Sequence, residues 1–171
     1  MGNVTGSMQK IRDLCCSLHL EQNKVWAKAG LLIKVYPEIV WANNHSKTSE
    51  GARLPKTCEK KFEIAIRYIA DFEPMEGKRR FHEKIIMLFE IKWLTELISS
   101  AMKHIEDFPV NGIAYYKILA NLFSIEPCSD RICQKEVGLE KTAFYERKRE
   151  AILLLGIELW GIVIPSYLDR N

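Results

Sequence analysis

Apolar residues recur at helical spacing along most of this chain. Between Val4 and Lys24, Ile11, Leu14, Cys15 and Leu18 lie three to four apart and define one face of a first helix. Between Ala27 and Ser46, Leu32, Val35, Ile39 and Val40 repeat the pattern, with Pro37 inside it. A proline there removes a backbone donor, so this helix is expected to kink or divide. Its Val, Ile, Tyr and Trp content also suits a strand, and the spacing favours the helix. The stretch from Asn43 to Pro55 is polar and reads as a loop. Thr57 is then a candidate N-cap for a helix that buries Phe62, Ala65, Ile66 and Ile69 and stops near Pro74 and Gly77. One long helix is predicted from about Lys78 to Asp107, ended by Pro109. Its stripe of Ile85, Leu88, Phe89, Trp93, Leu97, Ile98, Ala101 and Ile105 is broad enough for burial on two sides. Val110 to Ser124 predicts another amphipathic helix, with Ile113, Tyr116, Leu119, Ala120 and Phe123 inward.

The last third changes character. Ser129 or Asp130 can cap a short helix from Arg131 to Val137, and Gly138 supplies a turn. A longer helix follows from about Lys141 to Gly156 or beyond. Cys133 and Val137 are four apart and can face the core, Leu139 can plug the turn, and Phe144, Ala151 and Leu155 continue the inner face beside Ile152. Leu159, Trp160, Ile162 and Ile164 can dock the chain's end on the core. Helix, short helix, glycine turn and longer helix form the outline of a helix-turn-helix. The expected fold is all-α: a helical, bundle-like region over 1–107, then a helix-turn-helix region over 108–171. The two can also pack as one compact body.

That outline leaves Lys141, Thr142, Tyr145 and Arg149 outside at the start of the last long helix, with Arg147 and Lys148 flanking them. In a helix-turn-helix these positions reach the major groove and the phosphates. Six bases face five acids between Asp130 and Glu150, so an ordinary solvated helical face reads the same way. Lys78, Arg79 and Arg80 form a second basic cluster, either a phosphate contact or a solvated helix start.

Composition narrows the field. At 47% hydrophobic and 10% aromatic the chain can bury a core. The net charge of +3 is too mild to mark a nucleic-acid protein, so any basic surface must be local. Five cysteines without a C-x-x-C pair, and four scattered histidines, give no zinc or disulfide framework. Free thiols in a reducing cytoplasm fit better, and no metal or cofactor is expected. Gly6 stands where a myristoylation signal needs Ser or Thr. No uncharged apolar run is long enough for a membrane span, so a soluble, cytoplasmic protein without a membrane partner is expected. No nucleophile elbow, phosphate loop or zinc-protease motif appears, and His82 and Glu83 point about 100° apart on a helix, so an enzyme is not expected. Trp26, Trp41, Trp93, Trp160, Tyr115 and Tyr116 read as core rather than as a stacking platform.

The stretch EKTAFYERKREAILLLGIELWG, from Glu140 to Gly161, resembles the sigma-region-four-type helix-turn-helix of phage-encoded late-gene regulators of Gram-positive bacteria, the ArpU and RinA type. NGIAYYKILANLFS, from Asn111 to Ser124, resembles the helix before it. The first half, with LLIKVYPEIVW, is loosely similar to uncharacterised proteins of the same bacteria. The specific likeness covers roughly the C-terminal third. It implies a DNA-binding transcriptional regulator of phage or prophage origin, with Lys141, Thr142, Tyr145, Arg147, Lys148 and Arg149 facing double-stranded DNA. RNA polymerase and a second copy of the chain are further candidate partners. Gln134 departs from the small residue usual in such motifs, and Glu146 departs by its charge. The alternative is a helical protein-interaction module, with a phage or polymerase protein as partner and the helix-turn-helix purely structural.

Overall fold

The computed structural model describes residues 6–45 and 58–169. Among these residues the regular structure is helical, with no strand. In chain order the helices are α1 (Gly6–Ser17), α2 (Gln22–His45), α3 (Cys58–Asp71), α4 (Lys78–Leu88), α5 (Ile91–Glu106), α6 (Gly112–Leu122), α7 (Asp130–Val137), α8 (Lys141–Glu158) and α9 (Ile164–Leu168). A 3-10 turn, Pro74–Glu76, precedes α4, and a π-helical turn, Leu159–Val163, joins α8 to α9.

Most faces follow the expected spacing. Ile11 and Cys15 are buried in α1, Leu32, Val35 and Ile39 in α2, and Ala65, Ile66 and Ile69 in α3. Pro37 does not divide α2, which runs through it. Val35 and Ile39, buried on either side of the proline, anchor both halves to the core and offset the one lost hydrogen bond. α2 also takes up Asn43 to His45; the rest of the expected loop and the Thr57 cap lie outside the described residues.

The expected long helix is two. Phe89 and Glu90 are extended, and α5 restarts at Ile91. The cause is phase. Phe81, Ile85 and Phe89 are buried at four-residue steps, and Leu94 follows five residues later. At about 100° per residue that step leaves the face, so one straight helix could not bury both sets. α6 buries Leu119 and Phe123 as expected, but Tyr115 and Ile118 complete its inner face, whereas Ile113 and Ala120 are exposed. Two of the tryptophans read as core, Trp26 and Trp41, are also exposed, whereas Trp160 is buried.

α8 is the axis of the fold, packing against α1, α2, α5 and α6. One continuous apolar core joins Ile11 of α1, Leu97 and Ile105 of α5, and Leu154 of α8. Leu153 to Ile157 are buried in succession, so that part of the helix is surrounded. Gly156 permits this: a Cβ there would lie 2.5 Å from the Val25 carbonyl oxygen of α2. The helical stretch Lys141–Leu168 is long and apolar enough to cross a membrane, yet 61% of its apolar window is buried inside the fold, as in a core helix. The last carbonyls of α3 are met by two buried donors. Lys28 Nζ donates to Ala70 O at 2.8 Å and Trp160 Nε1 to Ile69 O at 2.7 Å. The Lys28 ammonium also lies 5.2 Å from the Phe72 ring centre, a cation–π contact at a helix C-terminus. Burial, with Lys24 nearby, lowers its pKa.

Candidate nucleic-acid interface at the start of α8

A second, small core holds α6, α7 and the front of α8 together. Ile118, Cys133 and Phe144 are each at most 2% exposed, and Leu122, Val137 and Leu139 close around them. Ser129 caps α7, its Oγ accepting from the Ile132 N–H at 3.3 Å. Gly138 ends it in the left-handed region, at φ 76° and ψ 30°. The Gly138 N–H donates to Lys135 O at 3.2 Å and the Leu139 N–H to Gln134 O at 3.3 Å. This is the Schellman arrangement, and it needs a residue without a Cβ penalty at Gly138. The Asn121 side chain ties the end of α6 to Cys128, donating to its carbonyl at 3.1 Å and accepting from its N–H at 2.8 Å.

The front of α8 splits the six basic and polar residues singled out above. Lys141, Thr142, Tyr145 and Arg149 are exposed, at spacings that share one strip of helix. Lys148 turns sideways, its Nζ 3.0 Å from Asp130 Oδ1, and straps α8 to the first turn of α7. Arg147 turns inward, with its side chain 14% exposed. It donates to Glu150 and, at 2.5 Å, to Ser7 Oγ of α1. Glu150, 1% exposed, also accepts from Tyr115 at 2.7 Å and from Ser7 at 3.1 Å. Burial works against the Arg147 charge, but Glu150 and Tyr115 together outweigh it and raise the guanidinium pKa. Burial and then Glu150 push the Tyr115 hydroxyl up as well.

These pairings change the charge of the surface. Arg147–Glu150 and Lys148–Asp130 remove two bases and two acids from the six and five between Asp130 and Glu150, leaving four bases against three acids. The remainder is unevenly placed. A shallow groove of about 420 Å³ between α7 and α8 is lined by Arg131, Gln134, Lys135, Lys141 and Tyr145: three cations and no acid. Arg131 and Lys135 were not among the residues singled out from the sequence. Their signal was available, since they sit four apart on α7, opposite Cys133 and Val137.

The other candidates are differently placed. Lys78 pairs with Glu38 at 3.0 Å, Arg79 with Glu83 at 3.2 Å and Arg80 with Glu76 at 3.5 Å, so each base of that cluster carries an acidic partner. His82 lies 3.7 Å from Glu38 of α2, while Glu83 bonds Arg79. Among the described residues no three His, Cys, Asp or Glu side chains gather in a way that could hold a metal ion.

Comparison with known proteins finds no family model, no curated protein and no solved structure that matches this chain.

Proposed function

We propose that the protein is a DNA-binding transcriptional regulator of the phage late-gene kind that its C-terminal third resembles, with α7, the Gly138 turn and α8 acting as a helix-turn-helix. The observation that carries this reading is the acid-free groove of Arg131, Lys135 and Lys141 beside the exposed strip of Thr142, Tyr145 and Arg149. In this reading Lys141, Thr142 and Tyr145 meet base edges at the front of α8. Arg149, Arg131 and Lys135 meet phosphates, which position the helix without reading sequence, while Lys148 straps α8 to Asp130. Arg147 holds the helix from behind, through Glu150. The partner is double-stranded DNA in the cytoplasm, with a second copy of the chain and RNA polymerase as further partners. No catalytic step is assigned.

A second reading, a helical protein-interaction module, draws on Ile113, Ile125 and Ile132, which are 63%, 48% and 49% exposed on the same three-helix unit. Salt separates the two. Fluorescence anisotropy with a random-sequence duplex is measured at two salt concentrations, for the wild type and for Lys141→Ala/Arg149→Ala. DNA binding weakens steeply with salt, and losing the Arg149 phosphate contact lowers the log–log salt slope by about 1. A folded wild type that does not bind at low salt refutes the proposal and leaves the apolar interface standing.

A further inference from the structure

Two thiols flank the start of α7. Cys128 directly precedes the N-cap Ser129, and Cys133 is the fourth residue of the helix. Side chains at these two positions pack on one another at helix starts. Here both line the same cleft between α6 and α7, about 420 Å³ in volume, beside Tyr116, Asn121 and Val137. Cys128 is exposed and Cys133 is 2% exposed. The Cys133 pKa is raised by burial first, then by Glu136 and Asp130, with Lys148 opposing and Cys128 itself adding to the rise. The two thiols therefore face one cleft, one open to solvent and one buried.

We propose that Cys128 and Cys133 form an oxidative modification site, closed to a disulfide by hydroperoxides. The oxidant supplies two equivalents. The Cys128 thiolate attacks the O–O bond of hydrogen peroxide, giving a sulfenic acid and one water. The Cys133 thiolate then attacks the sulfenic sulfur. An S–S bond forms and the S–O bond breaks. The hydroxide leaves as a second water, carrying the proton given up by Cys133. Two thiols and one peroxide become one disulfide and two waters. The other adjacent pair, Cys15 and Cys16, is poorly suited, because neighbouring Cα atoms about 3.8 Å apart fall short of the roughly 4.4 Å a relaxed disulfide spans.

Cys133 also belongs to the small core with Ile118 and Phe144. Drawing its sulfur toward Cys128 shifts α7 and carries Arg131 and Lys135 with it. Oxidation thereby weakens the groove beside α8, a consequence that rests on the DNA-binding reading; the bond itself does not.

The test treats the full chain with about one equivalent of hydrogen peroxide, blocks remaining thiols and digests with trypsin without reductant. Cleavage after Lys117, Arg131 and Lys135 places the two cysteines on separate peptides, Ile118–Arg131 and Ile132–Lys135. The expected product is those two peptides joined, two hydrogens lighter than their sum. It is absent after reduction and absent in Cys128→Ser, a change at an exposed position. Cys133 recovered only in blocked form, or Cys128 oxidised to sulfinic acid without a linked peptide, overturns the site. In parallel, oxidised wild type is expected to lose at least tenfold in duplex affinity and to regain it with dithiothreitol. Unchanged affinity of the linked form overturns the coupling to the groove. A reduced protein that never binds duplex refutes the DNA reading alone, and the peptide map still decides the site.

Discussion

Arg147 and Arg149 stand two residues apart on α8 and are expected to behave as opposites when each is changed to alanine. Glu150 is 1% exposed and receives Arg147, Tyr115 and Ser7. Arg147→Ala takes from that buried carboxylate the cation that bonds it. Removing one partner of a buried ion pair costs about 3–5 kcal/mol. The 14% exposure of the Arg147 side chain admits some solvent, which places the expectation at the lower end, about 3 kcal/mol. Arg149 is exposed, and its loss changes stability by no more than about 0.5 kcal/mol. With a urea m-value of about 2–3 kcal/mol/M, Arg147→Ala lowers the midpoint by roughly 1–1.5 M. Glu150→Gln removes the stranded charge; its one amide oxygen accepts from one of the two hydroxyls, Tyr115 or Ser7, and its NH2 donates to the oxygen of the other. The double variant Arg147→Ala/Glu150→Gln therefore recovers about 1–2 kcal/mol relative to additivity. The assay is equilibrium urea unfolding followed by far-ultraviolet circular dichroism for the wild type and the four variants. An Arg147→Ala midpoint equal to that of Arg149→Ala, or simple additivity in the double variant, refutes the claim that Arg147 serves Glu150.

Two further outcomes follow from the rear of α8. Gly156→Ala drives a Cβ to 2.5 Å from the Val25 carbonyl oxygen and 2.9 Å from its carbon, both backbone atoms of α2, so the helices must part. The expected cost is about 3 kcal/mol, and a fall in Tm of roughly 6–12 °C in a thermal melt; a melt within about 2 °C of wild type contradicts the close approach. Glu158 accepts from, or donates to, His104 Nδ1 at 3.0 Å, and burial raises its pKa above the ordinary carboxylate value of 4.5, with His104 pulling the other way. A raised folded-state pKa means that the protonated form is favoured on folding. The stability this provides is fully present below the unfolded value and is lost as pH rises through the folded one. Urea midpoints from about pH 4 to about pH 7 are therefore expected to fall for wild type relative to Glu158→Gln, and parallel profiles would contradict this.

What was legible in the sequence carried a local chemical signal. Ser129 as cap, Gly138 as left-handed turn, and Cys133 and Phe144 as inner residues are all properties of a few neighbouring positions. The break at Phe89 and Glu90 has no glycine or proline to announce it. It is visible only in the phase of the buried positions, which a count of apolar residues discards. Ile113 and Ala120 were misplaced on α6, though Leu119 and Phe123 were not, because Gly112 to Leu122 is apolar nearly all round, and α5 and α8 choose which side is buried. The Arg147–Glu150 pair is three apart on one helix and was within reach of a spacing rule. That it is buried was not, because Ser7 lies 140 residues away and no spacing rule reports a pairing over that distance.

α8 has one backbone and two chemistries, and this governs how any binding measurement is to be read. Its front presents Lys141, Thr142, Tyr145 and Arg149 to solvent, where substitutions change stability little. Its rear, from Ala151 to Ile157, is packed among helices, where substitutions are expected to destabilise the protein. A loss of DNA affinity after changing a front residue without loss of stability reports a contact. The same loss after changing Gly156 or Glu158 reports only that the helix has moved or melted. Arg147, Cys133 and Phe144 lie where the two parts meet, because each touches the core while fixing the direction of the front. Replacing Arg147 together with its neighbours Lys148 and Arg149 would therefore remove a buried ion pair and candidate contacts at once, and could not tell them apart. Lys141 and Arg149 are the pair that isolates the surface, and Arg147 with Glu150 is the pair that isolates the support beneath it.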